Sequence, residues 1–186
     1  MATVIVANDL VGVGKVALTS SLPIMSACQT EVLPLPTVLL SSHTGEFENI
    51  YMRDLTDDLK GFYKQWEHLD FTVDGLVSGY FKSREELKIV GQLARDKRIA
   101  LFVDPIMGDN GRLYQGFDME YVEAMKDFCQ QADAIIPNLT EASLLTDSPY
   151  LEVGSYDEAT IEKLLRELSK LGPRKVILTG ISFETD

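Results

Sequence analysis

Apolar residues in this chain come in short runs parted by polar, glycine- or proline-bearing turns, and two periodicities alternate. Residues 4–7 form an apolar run closed by Asn8 and Asp9. Residues 16–27 then show helical character, and Pro23 predicts a kink or irregularity there. Residues 32–40 are rich in Val and Leu, but Pro34 and Pro36 cannot donate to a strand ladder, which predicts an edge strand or an extended link. Thr56–Trp66 has helical spacing and Gly75–Ser78 reads as a short buried strand. Ser83 with Glu86 makes a capping-box pattern that opens a helix to Lys97. Ala100–Val103 reads as a strand stopping at Asp104-Pro105, and Asp118 is placed to cap a helix over 119–131. Residues 134–136 read as a strand that ends at Pro137-Asn138. Ser155 with Glu158 predicts a second capping box and a helix to about Leu171, before a last strand over 175–178.

Strands this short and apolar on both faces, alternating with helices, predict an α/β fold of three αβα layers around a mostly parallel central sheet. No linker composition interrupts residues 1–186, so a single domain is expected.

The chain has 186 residues, with 17 Lys plus Arg against 29 Asp plus Glu, a formal net charge of −12. That balance argues against nucleic acid or an anionic membrane as partner, since both need clustered basic residues. No apolar run reaches the roughly 18–20 residues of a membrane span. The N-terminus lacks a basic signal-peptide region, and Cys28 and Cys129 make no disulfide framework. A cytoplasmic protein is expected.

In open α/β sheets ligands bind beyond the carboxyl ends of the strands, so the residues following each strand are the candidates. They are Asn8-Asp9; the run Ser41 to Gly45 with His43 and Thr44; Ser78-Gly79-Tyr80; the run Asp104 to Gly111; Asn138 to Glu141; and Thr179-Gly180. Two glycine patterns fall short of known phosphate loops. The stretch from Asp9 to Val16 has Asp9 and Val16 where a P-loop needs Gly and Ser or Thr. Gly12-x-Gly14-x-x-Ala17 lacks the acidic residue that a dinucleotide fold places after its second strand. Asp104 and Asp109 share a Pro/Gly-rich loop, where carboxylates beside a polyphosphate imply a bridging magnesium. Asn138 and Glu141 sit where they can cap a helix or face an anion at its N-terminus. Zinc-type ligand spacing is absent.

Taken together, these runs resemble the pyridoxal kinase branch of the ribokinase-like superfamily. The matching pieces are Asn8 to Lys15, Ser42-His43-Thr44-Gly45, Ser78-Gly79-Tyr80, Asp104 to Asp109, and Pro137 to Ala142. The phosphate-side runs are shared with hydroxymethylpyrimidine kinases, whereas His-Thr-Gly and Gly-Tyr lean to pyridoxal kinase. The resemblance implies that Asp9, Val38, His43, Thr44 and Tyr80 line a vitamin B6 pocket. It implies that Asp104, Asp109, Asn138, Glu141 and Thr179 serve ATP, with Asp104, Asp109 and Glu141 organising Mg2+. The implied reaction moves the γ-phosphoryl of ATP to the 5′-hydroxyl of pyridoxal, pyridoxine or pyridoxamine, in a homodimeric enzyme.

The family's catalytic base is an Asp in a Gly-[Thr/Ala]-Gly-Asp run that opens an anion-hole helix. That run is not in residues 175–186, where the one glycine is Gly180. No catalytic base is therefore identifiable, and the expectation is a C-terminally incomplete ribokinase-like fold that is inactive as it stands. A hydroxymethylpyrimidine kinase of thiamine synthesis and a non-catalytic ligand-binding remnant are the alternative expectations.

Overall fold

The computed structural model describes residues 1–44, 47, 49–69 and 71–183. Two compact units make up the chain, Met1–Leu101 and Phe102–Asp186.

The first unit begins with β1 (Ala2–Val13), α1 (Ala17–Ala27) and β2 (Thr30–Ser42). It continues through β3 (Met52–Asp54), α2 (Thr56–Trp66), β4 (Gly75–Ser78) and α3 (Arg84–Lys97). Its strands lie in the order β3-β2-β1-β4. β1 pairs in parallel with both β2 and β4, and β3 pairs antiparallel with Val38–Leu40 at the far end of β2. β1 is three times as long as the apolar run that announced it, because its second half carries Asn8, Asp9, Gly12 and Val13 along β2. β2 is an edge only over its first half, and that is where Pro34 and Pro36 sit: they pair with β1 on one side, while β3 begins at Val38. Pro23 lies inside α1, as expected. Ile5, Leu35, Leu76, Phe81 and Val90 are fully buried and anchor this unit's core.

In parallel sheets a register shift has structural consequences. Asn8 pairs with Pro36 and Leu10 with Leu39, so the two β2 residues Thr37 and Val38 lie opposite the single residue Asp9. This is a β-bulge, the device by which a strand re-aims a side chain.

The second unit contains β5 (Ala100–Val103), at whose centre the division falls, and the hairpin of β6 (Gly108–Asp109) and β7 (Arg112–Leu113). Then follow α4 (Met119–Cys129), β8 (Ala134–Ile135), α5 (Leu139–Thr146), α6 (Glu158–Ser169) and β9 (Lys175–Val176). β5, β8 and β9 are parallel neighbours in that order. The β1–β2, β1–β4, β5–β8 and β8–β9 pairings are all parallel, as the apolar strands predicted. Val103, Val122, Met125, Ile135 and Leu168 fill this unit's core.

The predicted caps hold at Ser83 and at Asp118, whose side chains accept from the Glu86 and Tyr121 amides. The cap of α6 is a correction. Asp157, not Ser155, is the N-cap, with its carboxylate accepting from the Thr160 amide at 2.8 Å. Both patterns put a short acceptor before the apolar stripe, but an aspartate two residues nearer the helix competes better for its free amides. Ser155 instead donates to the Glu152 carbonyl.

Candidate functional site

The chemistry-bearing residues fall into two groups, one in each unit. In the first, Asp9 and Val38 lie within β1 and β2 at the bulge, while His43 and Tyr80 follow β2 and β4. Val38 is fully buried with Val11 and Leu40, and Ala17, Ile50 and Tyr80 pack against that cluster. Asp9 is 8% exposed, and burial pushes its carboxyl up to about 6. Tyr80 is half-buried; burial pushes its phenol up to about 12, with the charges of Asp9 and Glu86 adding to the effect. Asp9, Val38 and Tyr80 are thus neighbours: a desolvated carboxyl, an apolar floor and an aromatic ring.

His43 follows β2 directly, its amide donating to the Val13 carbonyl at 3.2 Å. Its ring meets Phe47 edge-on with centroids 5.0 Å apart. Gly14 has φ +115, and a Cβ there would stand 2.6 Å from the His43 ring, so the glycine both makes the turn and leaves room for the imidazole. Thr44 follows, exposed. Gly45 of the same motif lies outside the described residues. The nucleotide-loop patterns are excluded here, because residues 9–13 are strand and not a phosphate-wrapping loop.

Two further side chains of this group act on the backbone of Tyr80. The Asn8 side-chain oxygen accepts from the Tyr80 amide at 2.8 Å and from the Asp9 amide at 2.9 Å. The Thr37 hydroxyl donates to the Tyr80 carbonyl at 2.7 Å. A clue to Asn8 was Gly79, where any Cβ would collide with the Asn8 amide group.

In the second unit, Asn138 and Glu141 form a capping box at the start of α5. Asn138 Oδ1 accepts from the Glu141 amide at 2.9 Å, and Glu141 Oε2 accepts from the Asn138 amide at 2.9 Å. Glu141 reaches further: its Oε1 accepts from the Met107 amide at 3.3 Å, while Asn138 Nδ2 donates to the Gly108 carbonyl at 2.9 Å. The box therefore ties α5 to the loop that follows β5. Glu141 is 2% exposed, and burial together with the charge of Asp104 pushes its carboxyl up to about 8. Asp104, partly buried, is pushed up to about 6 by desolvation, and the hydrogen bonds of the described residues leave its carboxylate oxygens unused. Tyr114 responds to the same acids: its phenol is raised by burial and by the charges of Asp109, Glu141 and Asp104.

Asp109 is exposed and accepts from the amide and side chain of its neighbour Asn110. It lies on a two-residue hairpin in which Asn110 and Gly111 have φ of 50 and 73. Asn-Gly at both positive-φ positions is the strongest short hairpin signal, and it turns the end of the run 104–111, expected as one loop, into the β6–β7 hairpin. Thr140 Oγ1 accepts from the Gly111 amide at 2.9 Å and fastens the hairpin to α5. Thr179, exposed beyond β9, bonds back to the Pro137 carbonyl through its amide at 2.9 Å. Among the described residues no set of three His, Cys, Asp or Glu side chains is placed to hold a metal on its own.

Solved structures place this fold. A Bacteroides thetaiotaomicron protein named provisionally as a phosphomethylpyrimidine kinase, in a crystal form with pyridoxal, is 38% identical with a TM-score of 0.91; the match covers 97% of this chain and 63% of that one. Pyridoxal kinase from Lactobacillus plantarum is 36% identical with a TM-score of 0.90, over 98% of this chain and 65% of that one. The fold is thus the ribokinase-like α/β fold of small-molecule kinases. The phosphomethylpyrimidine kinase family profile matches residues 52–186, and the chain belongs to that family. Among curated proteins, Saccharomyces cerevisiae BUD17, named provisionally as a pyridoxal kinase, is 28% identical over 158 residues, 79% of this chain and 48% of its own length. The chain spans about half the length of such curated relatives and under two thirds of the solved structures.

Proposed function

We propose that this chain carries the vitamin-binding and phosphate-binding parts of an ATP-dependent kinase acting on the 5′-hydroxyl of pyridoxal, pyridoxine or pyridoxamine. The observation that carries the reading is Tyr80 packed on Val11, Val38 and Leu40 beside the buried carboxyl of Asp9. A flat pyridine ring needs an apolar floor and an aromatic neighbour, and its polar substituents need a desolvated hydrogen-bonding group. His43 and Thr44 complete the rim of that pocket.

The phosphate side rests on Asp104, Asp109, Asn138, Glu141 and Thr179. A hard-oxygen donor set of this kind fits Mg2+, which keeps most of its water and needs only one or two carboxylates beside the substrate phosphates. Asp104, with its carboxylate uncommitted, is the direct ligand in this reading. Glu141 acts beside it, its oxygens held by the Asn138 and Met107 amides. Bound magnesium would supply charge neutralisation at the phosphates. The chain's own residues orient the two substrates, and phosphoryl transfer depends mainly on such positioning.

Hydroxymethylpyrimidine is the second reading, favoured by the family profile itself. Calorimetric titration of the chain with pyridoxal and with hydroxymethylpyrimidine decides between them. Tighter binding of the pyrimidine would overturn the B6 reading, and binding of neither would overturn both. An assay for ATP-dependent pyridoxal phosphate formation then tests whether residues 1–186 turn over as they stand.

A further inference from the structure

Tyr80 is held at both its amide and its carbonyl, and the holding groups come from two different strands. On one side the Asn8 side-chain Oδ1 accepts from the Tyr80 amide at 2.8 Å. On the other the Thr37 hydroxyl donates to the Tyr80 carbonyl at 2.7 Å. Thr37 is fully buried, so this bond is shielded from water. The contact also skips a strand: Thr37 lies on β2, Tyr80 follows β4, and β1 runs between them. What permits the reach is the bulge, in which Thr37 and Val38 together face Asp9. The bulge turns two consecutive β2 residues to one task, since Val38 belongs to the cluster on which Tyr80 packs. On the C-terminal side, Phe81 is fully buried and Glu86 accepts from the Lys82 amide at 2.6 Å. The Tyr80 backbone therefore has no slack in either direction.

The geometry points to Thr37 as a positioning residue: through its bond to the Tyr80 carbonyl it sets the aromatic ring against which a flat heteroaromatic substrate stacks. This rests on the vitamin-pocket reading of Tyr80. Thr37 touches no substrate in this scheme and acts only through Tyr80.

The test compares Thr37→Val, which keeps the shape and removes the donor, with Thr37→Ser, which restores the donor with less bulk. Two quantities are read in each variant of the full chain. One is the pyridoxal dissociation constant from calorimetry. The other is the Tyr80 phenol titration, followed by NMR of tyrosine labelled at the ring carbon bearing oxygen, with Tyr80→Phe to assign the signal.

Thr37→Val is expected to weaken pyridoxal binding about tenfold. It is also expected to move the phenol down from about 12 toward its ordinary 10 as the ring loses its buried seat. Thr37→Ser should return both close to the parent. Unchanged phenol and unchanged affinity in Thr37→Val would overturn the inference, as would a loss that serine does not restore, which would mean packing alone. A moved phenol with unchanged affinity would show that Thr37 seats Tyr80 but that Tyr80 is not in the vitamin pocket, overturning the assigned purpose. If the parent chain binds no pyridoxal, the functional reading fails by itself, while the phenol titration still reports whether Thr37 holds Tyr80.

Discussion

Asn138 and Glu141 each accept a hydrogen bond from the other's backbone amide, both at 2.9 Å, at the first turn of α5. The same two side chains extend to the Met107 amide and the Gly108 carbonyl. Capping and site-building are therefore one arrangement: the residues that start the helix also fix the loop that presents Asp104.

Replacing Glu141 separates these roles. Glu141→Ala leaves the amides of Asn138 and Met107 without their acceptor in a buried place, which costs ~1–3 kcal/mol for each unsatisfied donor. Glu141→Gln keeps one acceptor oxygen and loses the other, so its cost should lie between the parent and alanine. Urea denaturation ranks the three, and equal stability of the Ala and Gln variants would count against the two-amide arrangement.

Glu86 predicts a pH dependence of stability. It is fully buried, its Oε1 has no hydrogen-bond partner among the described residues, and Oε2 accepts from the Lys82 and Ser83 amides. Burial raises its carboxyl from 4.5 to about 7. A raised acid binds its proton more tightly when folded, so its contribution is complete below pH 4.5, fades as pH rises, and is gone above about 7. The urea midpoint of the parent should fall across that window, and Glu86→Gln, a neutral mimic of the protonated acid, should flatten the fall. A variant with the parent's slope would remove Glu86 as the cause.

Gly79 is predicted to tolerate no side chain while Asn8 is present. Its Cβ would collide with the Asn8 side-chain amide, so Gly79→Ala must displace the group that accepts from the Tyr80 amide. Overpacking of this kind costs ~1–3 kcal/mol, and pyridoxal affinity should drop with it. Combining Asn8→Ala with Gly79→Ala relieves the collision, so the double variant should be more stable than the sum of the two losses. Strict additivity in a double-mutant cycle would contradict the contact.

Much of this fold was legible because local chemistry and tertiary demand agree in it. Thr56–Trp66, Gly75–Ser78 and Ala100–Val103 match the observed elements residue for residue. Periodicity marks a face to bury, and caps mark an end. What the pattern hid has specific causes. The second half of β1 carries Asn8, Asp9 and Gly12, so it reads as a loop, yet its ladder to β2 holds it extended. β3 is a three-residue exposed strand with no apolar run to announce it. Asn8 stands among the strand-end candidates without a role and Thr37 is not among them, because each acts on the Tyr80 backbone from a distant point in sequence, 72 and 43 positions away. Asp9, Val38 and Tyr80 could be selected from motif order, but their meeting depends on the bulge opposite Asp9, which no spacing reveals.

Asp104 separates the two halves of the proposed chemistry. Its carboxyl is partly buried, pushed up to about 6, and uncommitted to any hydrogen bond among the described residues, unlike Glu141 and Asp109. A carboxylate held back from local bonding is available to a hydrated cation and its phosphates. Asp104→Asn should therefore weaken magnesium-dependent nucleotide binding by about tenfold or more, on the order of 1.4 kcal/mol. Pyridoxal affinity should stay within about twofold of the parent, because the vitamin contacts assigned here come from Asp9, Val38, His43, Thr44 and Tyr80. Paired titrations of the full chain, one with Mg-ATP and one with pyridoxal, measure both effects on the same preparation. Removing magnesium should make parent and variant alike toward ATP, since the carboxylate then has no cation through which to act. Equal loss of both ligands in Asp104→Asn would assign the residue to the fold instead of to the phosphate site.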